Sequence, residues 1–225
     1  MKRKKIPQTT IARLPLYLRH LLKLARKGVR IISSYELAEH VGTNAAQLRK
    51  DLSYLGEFGT RGVGYDVGEL IRQISKCLGL TREWKVAIVG MGKLGPALLG
   101  YKGFEQEGFK IVAIFDKNPK KIGKKMGNLV VSDVTNLKEV IEKVGGVDIG
   151  IITTPASAAQ KVADQLIEAG IRAILNFAPV TLEVPSHVFL RQVDLSTELQ
   201  ILSYYLTRPF KFPPPCGYCE ANRDL

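Results

Sequence analysis

The 225-residue sequence predicts an α/β protein in two units: a small helical unit first, then a mostly parallel sheet with helices on both faces. Three observations carry this. Trp84–Val89 is an apolar, β-branched-rich run that leads into Gly90-Met91-Gly92-Lys93-Leu94-Gly95 and a helix-like segment to Gly103. A strand, a G-x-G-x-x-G turn and a helix make the first βα turn of a dinucleotide-binding unit. Short apolar runs then alternate with helical patterns as far as residue 193, which calls for parallel strands joined by crossovers. Finally, positive charge is concentrated at the N-terminus. Residues 1–80 hold 15 Lys/Arg against 6 Asp/Glu, and residues 81–225 hold 18 against 15.

A basic third beside a near-neutral remainder points to a polyanionic partner for that third. No run approaches the ~20 apolar residues of a membrane span. The opening Met1-Lys2-Arg3-Lys4-Lys5 has no apolar region behind it, so it does not read as a secretory signal. The expectation is a soluble cytoplasmic protein with no membrane partner. Cys77 falls in a helical pattern and reads as a small buried hydrophobe. Cys216 and Cys219 have C-x-x-C spacing behind three prolines, but no second pair or nearby histidine completes a zinc set. No metal site is assigned.

Taken in order, residues 1–12 read as a basic arm. Pro15 opens a helix, where a missing N–H costs nothing; Leu18, Leu21, Leu22 and Ala25 form its apolar face and Gly28 ends it. Ser33-Ser34-Tyr35-Glu36 is a capping box that starts a second helix, closed by Gly42. Asn44 caps a third, which runs to about Tyr54 with Leu48, Leu52 and Leu55 inside. Two short capped helices joined by a glycine turn have helix-turn-helix spacing. Asn44, Gln47, Lys50, Asp51 and Tyr54 fall on the side of the third helix away from the leucines, where amides and cations can meet base edges or phosphates. Residues 56–65 then hold four glycines around Arg61-Gly62, the pattern of a tight hairpin tip. Such a tip behind a helix-turn-helix is a wing whose arginine can enter a minor groove. A fourth helix spans 67–78, and the domain boundary falls near 79–83.

The second unit reads as a Rossmann domain over 84–193. Gly90 allows the turn, Gly92 lets backbone approach a pyrophosphate, and Gly95 packs helix on strand; Met91, Lys93 and Leu94 complete the loop. The apolar run 109–115 is a buried strand ending in Asp116, 21 residues after Gly95. A carboxylate there binds the adenine ribose and repels a 2′-phosphate, a preference for NAD(H) that the adjacent Lys117 weakens. Further strands are expected at 129–131, 147–153, 173–176 and 188–193, with helices between. Thr153-Thr154-Pro155 tops the fourth strand and Asn176-Phe177-Ala178-Pro179 tops the fifth, so they should border the crevice. Asp194 can cap a last helix, Leu195–Leu206, that is apolar around most of its circumference. Its burial calls for a second subunit, hence a homodimer.

No acid–base group presents itself for hydride chemistry. His20 and His40 fall in the basic unit, and His187 sits in a loop. No catalytic residue is assigned; the economical reading is a nucleotide read as a signal, with DNA binding as the output. The chain resembles the Rex family of redox-sensing bacterial transcriptional repressors. Four stretches carry the resemblance: residues 6–8 with Arg13–Tyr17; Leu48–Gly56 running into Gly59–Tyr65; Gly90–Gly95; and Gly170-Ile171 with Ile174–Pro179. It covers roughly residues 6–208 and leaves the tail, 209–225, aside. The resemblance implies a homodimer of winged helix-turn-helix domains (1–79) on Rossmann domains, with the last helix (194–208) domain-swapped. It implies binding to palindromic operator DNA when free or NAD⁺-bound, and release by NADH. Arg49, Lys50 and Arg61 would carry much of the DNA contact, with Arg13 on phosphates. Arg19, Tyr101 and Asp194 would couple nicotinamide state to domain placement, and Leu195 would pack near the nicotinamide of the partner subunit. Two other readings stay open: a small NAD(H)-dependent oxidoreductase, and a Rossmann module for another nucleotide such as coenzyme A.

Overall fold

The computed structural model describes residues 6–56, 58–60 and 62–207. The chain divides into two compact units between Thr81 and Arg82. Among the described residues no helix is long and apolar enough to cross a membrane.

In the first unit, helix α1 (Gln8–Arg26) carries Thr10, Leu14, Tyr17, Leu18 and Leu21 on its buried side, the i, i+4, i+7 stripe of an amphipathic helix. It begins seven residues before Pro15, so residues 8–12 are helix and not arm. An interior proline removes a hydrogen bond and costs roughly 3 kcal/mol. Here Pro15 is exposed, and the turns on both sides of it are tied to one residue described below. Strand β1 (Ile31–Ile32) and helix α2 (Ser34–His40) follow, then α3 (Ala45–Ser53), β2 (Gly59–Thr60), β3 (Gly64–Asp66) and α4 (Val67–Cys77). The three strands pair antiparallel in the order β1-β3-β2, which is a helix-turn-helix with a wing. Leu14, Tyr17, Leu21, Leu37, Leu48, Leu52, Leu70 and Ile74 make one core. Cys77 is exposed, not buried, because it lies on the last turn of α4 beyond the packed stripe of Leu70 and Ile74.

The second unit runs β4 (Trp84–Val89), α5 (Leu94–Leu99), α6 (Lys102–Gln106), β5 (Phe109–Asp116), β6 (Lys125–Met126), β7 (Leu129–Asp133), α7 (Leu137–Lys143), β8 (Ile149–Ile152), α8 (Ala156–Glu168), β9 (Ala173–Asn176), β10 (Phe189–Gln192) and α9 (Leu195–Thr207). The sheet order is β10-β9-β8-β4-β5-β7-β6. All pairings are parallel except β6–β7. Leaving out β6, this is the doubly wound dinucleotide-binding order, with its topological switch between β4 and β8. Along β4, Ala87 and Val89 enter the core shared with α7 and α8, while Val86 and Ile88 enter the core on the opposite face. That two-sided burial explains the continuous apolar runs.

Two features were not foreseen. The segment after the glycine loop is two short helices broken at Gly100-Tyr101, and Lys125-Met126 folds back as an edge strand on β7. Helix α9 has no buried residue.

Gly95 is buried, and a Cβ there would collide with the Gly90 carbonyl oxygen. Gly95→Ala should therefore destabilise this unit by about 1–3 kcal/mol. Urea denaturation followed through Trp84, the single tryptophan, measures it; an unchanged midpoint would refute the packing role.

Candidate functional sites: a nucleotide crevice and a helix-turn-helix surface

The crevice begins where β4 ends. Gly90 has φ +107°, and a Cβ on it would stand 2.8 Å from the Thr153 carbonyl carbon and 2.9 Å from the Thr154 nitrogen. A side chain is excluded by both conformation and space. The Thr153 hydroxyl donates to the Gly90 carbonyl at 2.6 Å, locking the glycine turn to the top of β8. Gly92 is exposed, with open space where a Cβ would be. Its backbone can be approached closely. Lys93 and Pro155 are exposed at the rim, and Leu94 is half-buried. Thr154, between Thr153 and Pro155, has a buried hydroxyl with no hydrogen-bond partner among the described residues. An open glycine and an orphaned hydroxyl at one switch point fit a polar ligand.

Several expected contacts have other work. The Met91 side chain is fully buried in the sheet core, so only its backbone belongs to the loop. Its amide donates to Asp116 Oδ2 at 2.8 Å. The Asn118 amide donates to Oδ1 at 2.8 Å, and Lys121 Nζ lies 3.2 Å from Oδ2. Burial pushes the Asp116 carboxyl up, but these donors outweigh it and hold the pKa below the usual value. Lys117 is exposed beside it. Asn176 is also fully buried. Its side-chain amide donates to the carbonyls of Ala178 and Val180 and to Gln192 Oε1, and its Oδ1 accepts from the Ala178 amide. It shapes the 177–180 loop instead of opening into the crevice. Tyr101 sits at the α5–α6 break, well exposed, edge-on to Phe104 with ring centroids 5.1 Å apart. Asp194 accepts from the amide and hydroxyl of Ser196 at 2.9 and 2.7 Å. It thereby caps α9, and those bonds lower its pKa. Leu195 is exposed on α9. Arg19 is exposed on α1, in the other unit.

In the first unit the capping box is complete. The Glu36 amide donates to Ser33 Oγ, and the Ser33 amide donates to Glu36 Oε2. Asn44 Oδ1 accepts from the Gln47 amide at 2.8 Å, so its side chain caps α3. Arg49 and Lys50 are exposed; Arg49 donates to Ser34 Oγ at 2.9 Å, and Tyr54 is half-buried. Gly62 is exposed at the wing with φ +82°, while Arg61 lies outside the described residues.

Asp51 departs most from expectation. It is not on the open polar face: its side chain is fully buried and accepts five hydrogen bonds. Thr10 Oγ1 donates at 2.9 Å, Arg13 Nε and Nη2 at 2.7 and 2.8 Å, Tyr17 Oη at 2.7 Å and Gln47 Nε2 at 2.9 Å. Thr10, Arg13 and Tyr17 form one face of α1 that lies over α3 at this point, which helical spacing on α3 alone does not reveal. Arg13 and Gln47, expected at the DNA, are both drawn inward. Burial pushes the Asp51 carboxyl up, and the bonds from Arg13, Tyr17, Thr10 and Gln47 overcome it and hold the pKa at about 2. The same contacts raise the pKa of Arg13, and burial with the Asp51 bond raises that of Tyr17. Asp51→Ala strands these donors around a cavity and should cost about 3–5 kcal/mol, measured by urea denaturation of the full chain. Because the folded-state pKa is depressed, the Asp51 contribution is present above about pH 4 and is lost as pH falls through about 2. A pH titration of thermal stability in which Asp51→Asn and the parent lose stability in parallel over that window would contradict this.

A family model described as "CoA binding domain" matches residues 81–180, and one described as "Putative DNA-binding protein N-terminus" matches residues 5–53. The redox-sensing transcriptional repressor Rex of Desulfitobacterium hafniense is 54% identical over 204 residues, 91% of this chain and 97% of that protein. RSP, a Rex-family repressor, has been solved in complex with beta-NAD+ and operator DNA. That structure is 42% identical with a TM-score of 0.86, over 91% of this chain and 94% of that one. RSP in complex with beta-NADH is 41% identical with a TM-score of 0.82, over 91% and 95%. With such identity across nine-tenths of its length, spanning both the helix-turn-helix and the crevice, the chain belongs to the Rex family of redox-sensing transcriptional repressors.

Proposed function

We propose that this chain is a cytoplasmic repressor that binds palindromic operator DNA as a homodimer when free or NAD⁺-bound and lets go when NADH binds. The observation that carries the reading is the pairing of a doubly wound nucleotide crevice with an exposed Arg49-Lys50 recognition surface in one chain. The relative RSP binds both dinucleotides and operator DNA.

In this reading Gly90–Gly95, Thr153, Thr154 and Asp116 hold the parts common to NAD⁺ and NADH, and so supply affinity. The two forms differ only at the nicotinamide, and a ligand shifts an equilibrium only by its differential affinity for two states. Tyr101, Asp194 and Arg19 would carry that difference to the DNA-binding unit, with Leu195 supplied by the partner. Lys50, Arg49 and the wing residues Arg61 and Gly62 would contact DNA, and Tyr54 would border that surface. Arg13, Gln47 and Asn44 would act mainly by fixing α3.

The dimer is supported by α9. Its Leu195, Leu199, Leu202 and Leu206 are all exposed in the single chain. On the sheet face that carries α5, Ile149, Leu175 and Phe177 are only half-covered, and residues 177–188 between β9 and β10 form no helix. A swapped α9 from a second copy would cover both surfaces. The oxidoreductase reading is disfavoured by the histidines. His20 and His40 stack on each other in the first unit, ring centroids 4.4 Å apart. His187 precedes β10 and so lies at the amino end of the strands, opposite the crevice.

A gel-shift titration on a palindromic promoter fragment at one fixed salt tests the reading. NADH should release the protein and NAD⁺ should not; identical behaviour of the two would refute it. Lys50→Ala should weaken operator binding by about 1–3 kcal/mol and reduce the salt slope by about 1, with NADH affinity unchanged by calorimetry. Asp194→Ala and Tyr101→Ala should keep DNA binding but lose the NADH response; variants that release like the parent would remove these residues from the coupling.

A further inference from the structure

We infer that Gly103 is a positioning residue for the NADH response: it carries no side chain so that the Tyr101 ring can lie across the first turn of α6, and that pose sets the NADH concentration at which the protein lets go of DNA. The inference rests on the reading above in which Tyr101 couples nicotinamide state to DNA binding.

Gly103 stands inside α6, just after Tyr101 at its N-cap. Glycine there works against the helix, because it has more backbone freedom to lose than alanine. Its backbone does not call for glycine either, since its φ is not positive as that of Gly90 is. What excludes a side chain is Tyr101. A Cβ on Gly103 would overlap Cε1 and Cζ of the tyrosine ring and fall 2.6 Å from its Oη. Gly100, on the other side of Tyr101, differs. A Cβ there would meet the Pro96 and Ala97 carbonyl oxygens at 3.6 and 3.8 Å, which is ordinary contact. Of the two glycines that flank Tyr101, only the one under the ring has to be bare.

Phe104 supplies a second wall. It is half-buried and follows Tyr101 by three residues, so it falls on the same side of the turn. The two rings meet edge-on at 83°, with centroids 5.1 Å apart. Tyr101 makes no capping hydrogen bond. Packing on Gly103 and Phe104 thus orders a side chain that is otherwise 60% exposed. A tyrosine with nothing beneath it would have to be ordered each time NADH binds, at an entropic cost. Apparent affinity scales with the fraction of chains in the competent pose, so cutting that fraction to about one-third raises the NADH required about threefold. The crowded atoms are the far end of a flexible side chain, so alanine at 103 displaces the ring and leaves α6 intact.

Gel-shift titrations with NADH at one fixed salt, and calorimetry with NADH and ADP, test this on the full chain. Gly103→Ala should raise both the NADH midpoint for release and the NADH dissociation constant threefold or more. Its ADP affinity, and its operator affinity without dinucleotide, should stay within twofold of the parent. Gly100→Ala should behave like the parent. In a Tyr101→Ala background, Gly103→Ala should change NADH affinity less than 1.5-fold, because it acts through that ring. Phe104→Leu removes the edge-on partner and should act in the same direction as Gly103→Ala, which keeps the test decisive if Gly103→Ala does not fold. An unchanged or lowered midpoint in Gly103→Ala, or in Phe104→Leu where the first does not fold, overturns the inference and leaves Tyr101 as the coupling residue. So does an equal loss in Gly100→Ala or in the Tyr101→Ala background, or a parallel loss of ADP and operator binding, since each means a damaged helix and not a displaced ring. A Tyr101→Ala protein that releases like the parent removes the coupling reading and the inference with it.

Discussion

The second unit depends on a backbone-to-backbone approach at one point of the sheet. Gly90 lies against the Thr153-Thr154 peptide, and Gly95 lies against the Gly90 carbonyl. Three elements, β4, α5 and β8, meet there through the backbone of two glycines. The parallel sheet changes direction at this spot, so its two halves part and leave a crevice at the strand ends. The Thr153–Gly90 hydrogen bond fixes the distance between the halves. Met91 anchors the same turn from below, with its side chain in the core and its amide on Asp116. The crevice is thus shaped mainly by backbone, and the Thr154 hydroxyl is its unpartnered buried polar atom among the described residues.

The first unit depends on a buried charge. Asp51 takes three side chains from α1 and one from its own helix, so α3 cannot move relative to α1 without stranding a carboxylate. Thr10 and Arg13 precede Pro15 and Tyr17 follows it, so the cluster bridges the turn that proline weakens. That explains a 19-residue helix with a proline in its middle. It also leaves the outer face of α3 to Arg49 and Lys50, both exposed.

Much of this was legible in the sequence. Caps, glycine turns and the alternation of apolar runs are local signals, and they located α2, α3, α4 and the main parallel strands to within a few residues. Gly90, Gly95 and Asp116 could be placed by spacing alone, because the constraint on each is geometric. What the sequence does not display is non-local. Pro15 has the form of a helix start, and only the contact with Asp51 shows that the helix begins earlier. Asp51 is polar on a polar stripe, so periodicity assigns it to solvent. Asn176 tops a strand beside a crevice, but its partners on the following loop and on β10 turn it inward. Lys125-Met126 is too short to read as a strand without β7 beside it. Thr154 can be placed at the top of its strand by spacing, but that its hydroxyl is left without a partner among the described residues is a three-dimensional fact.

Helix α9 is thirteen residues long, near the length below which an isolated helix is marginal in water. With its leucines uncovered, little in its own chain holds it helical. In the proposed dimer, its folding and the meeting of two chains are then a single event. Mass action enters the stability of such a protein: its melting temperature rises with its own concentration. Dilution alone, with no change of redox state, would then thin the population competent to bind an operator.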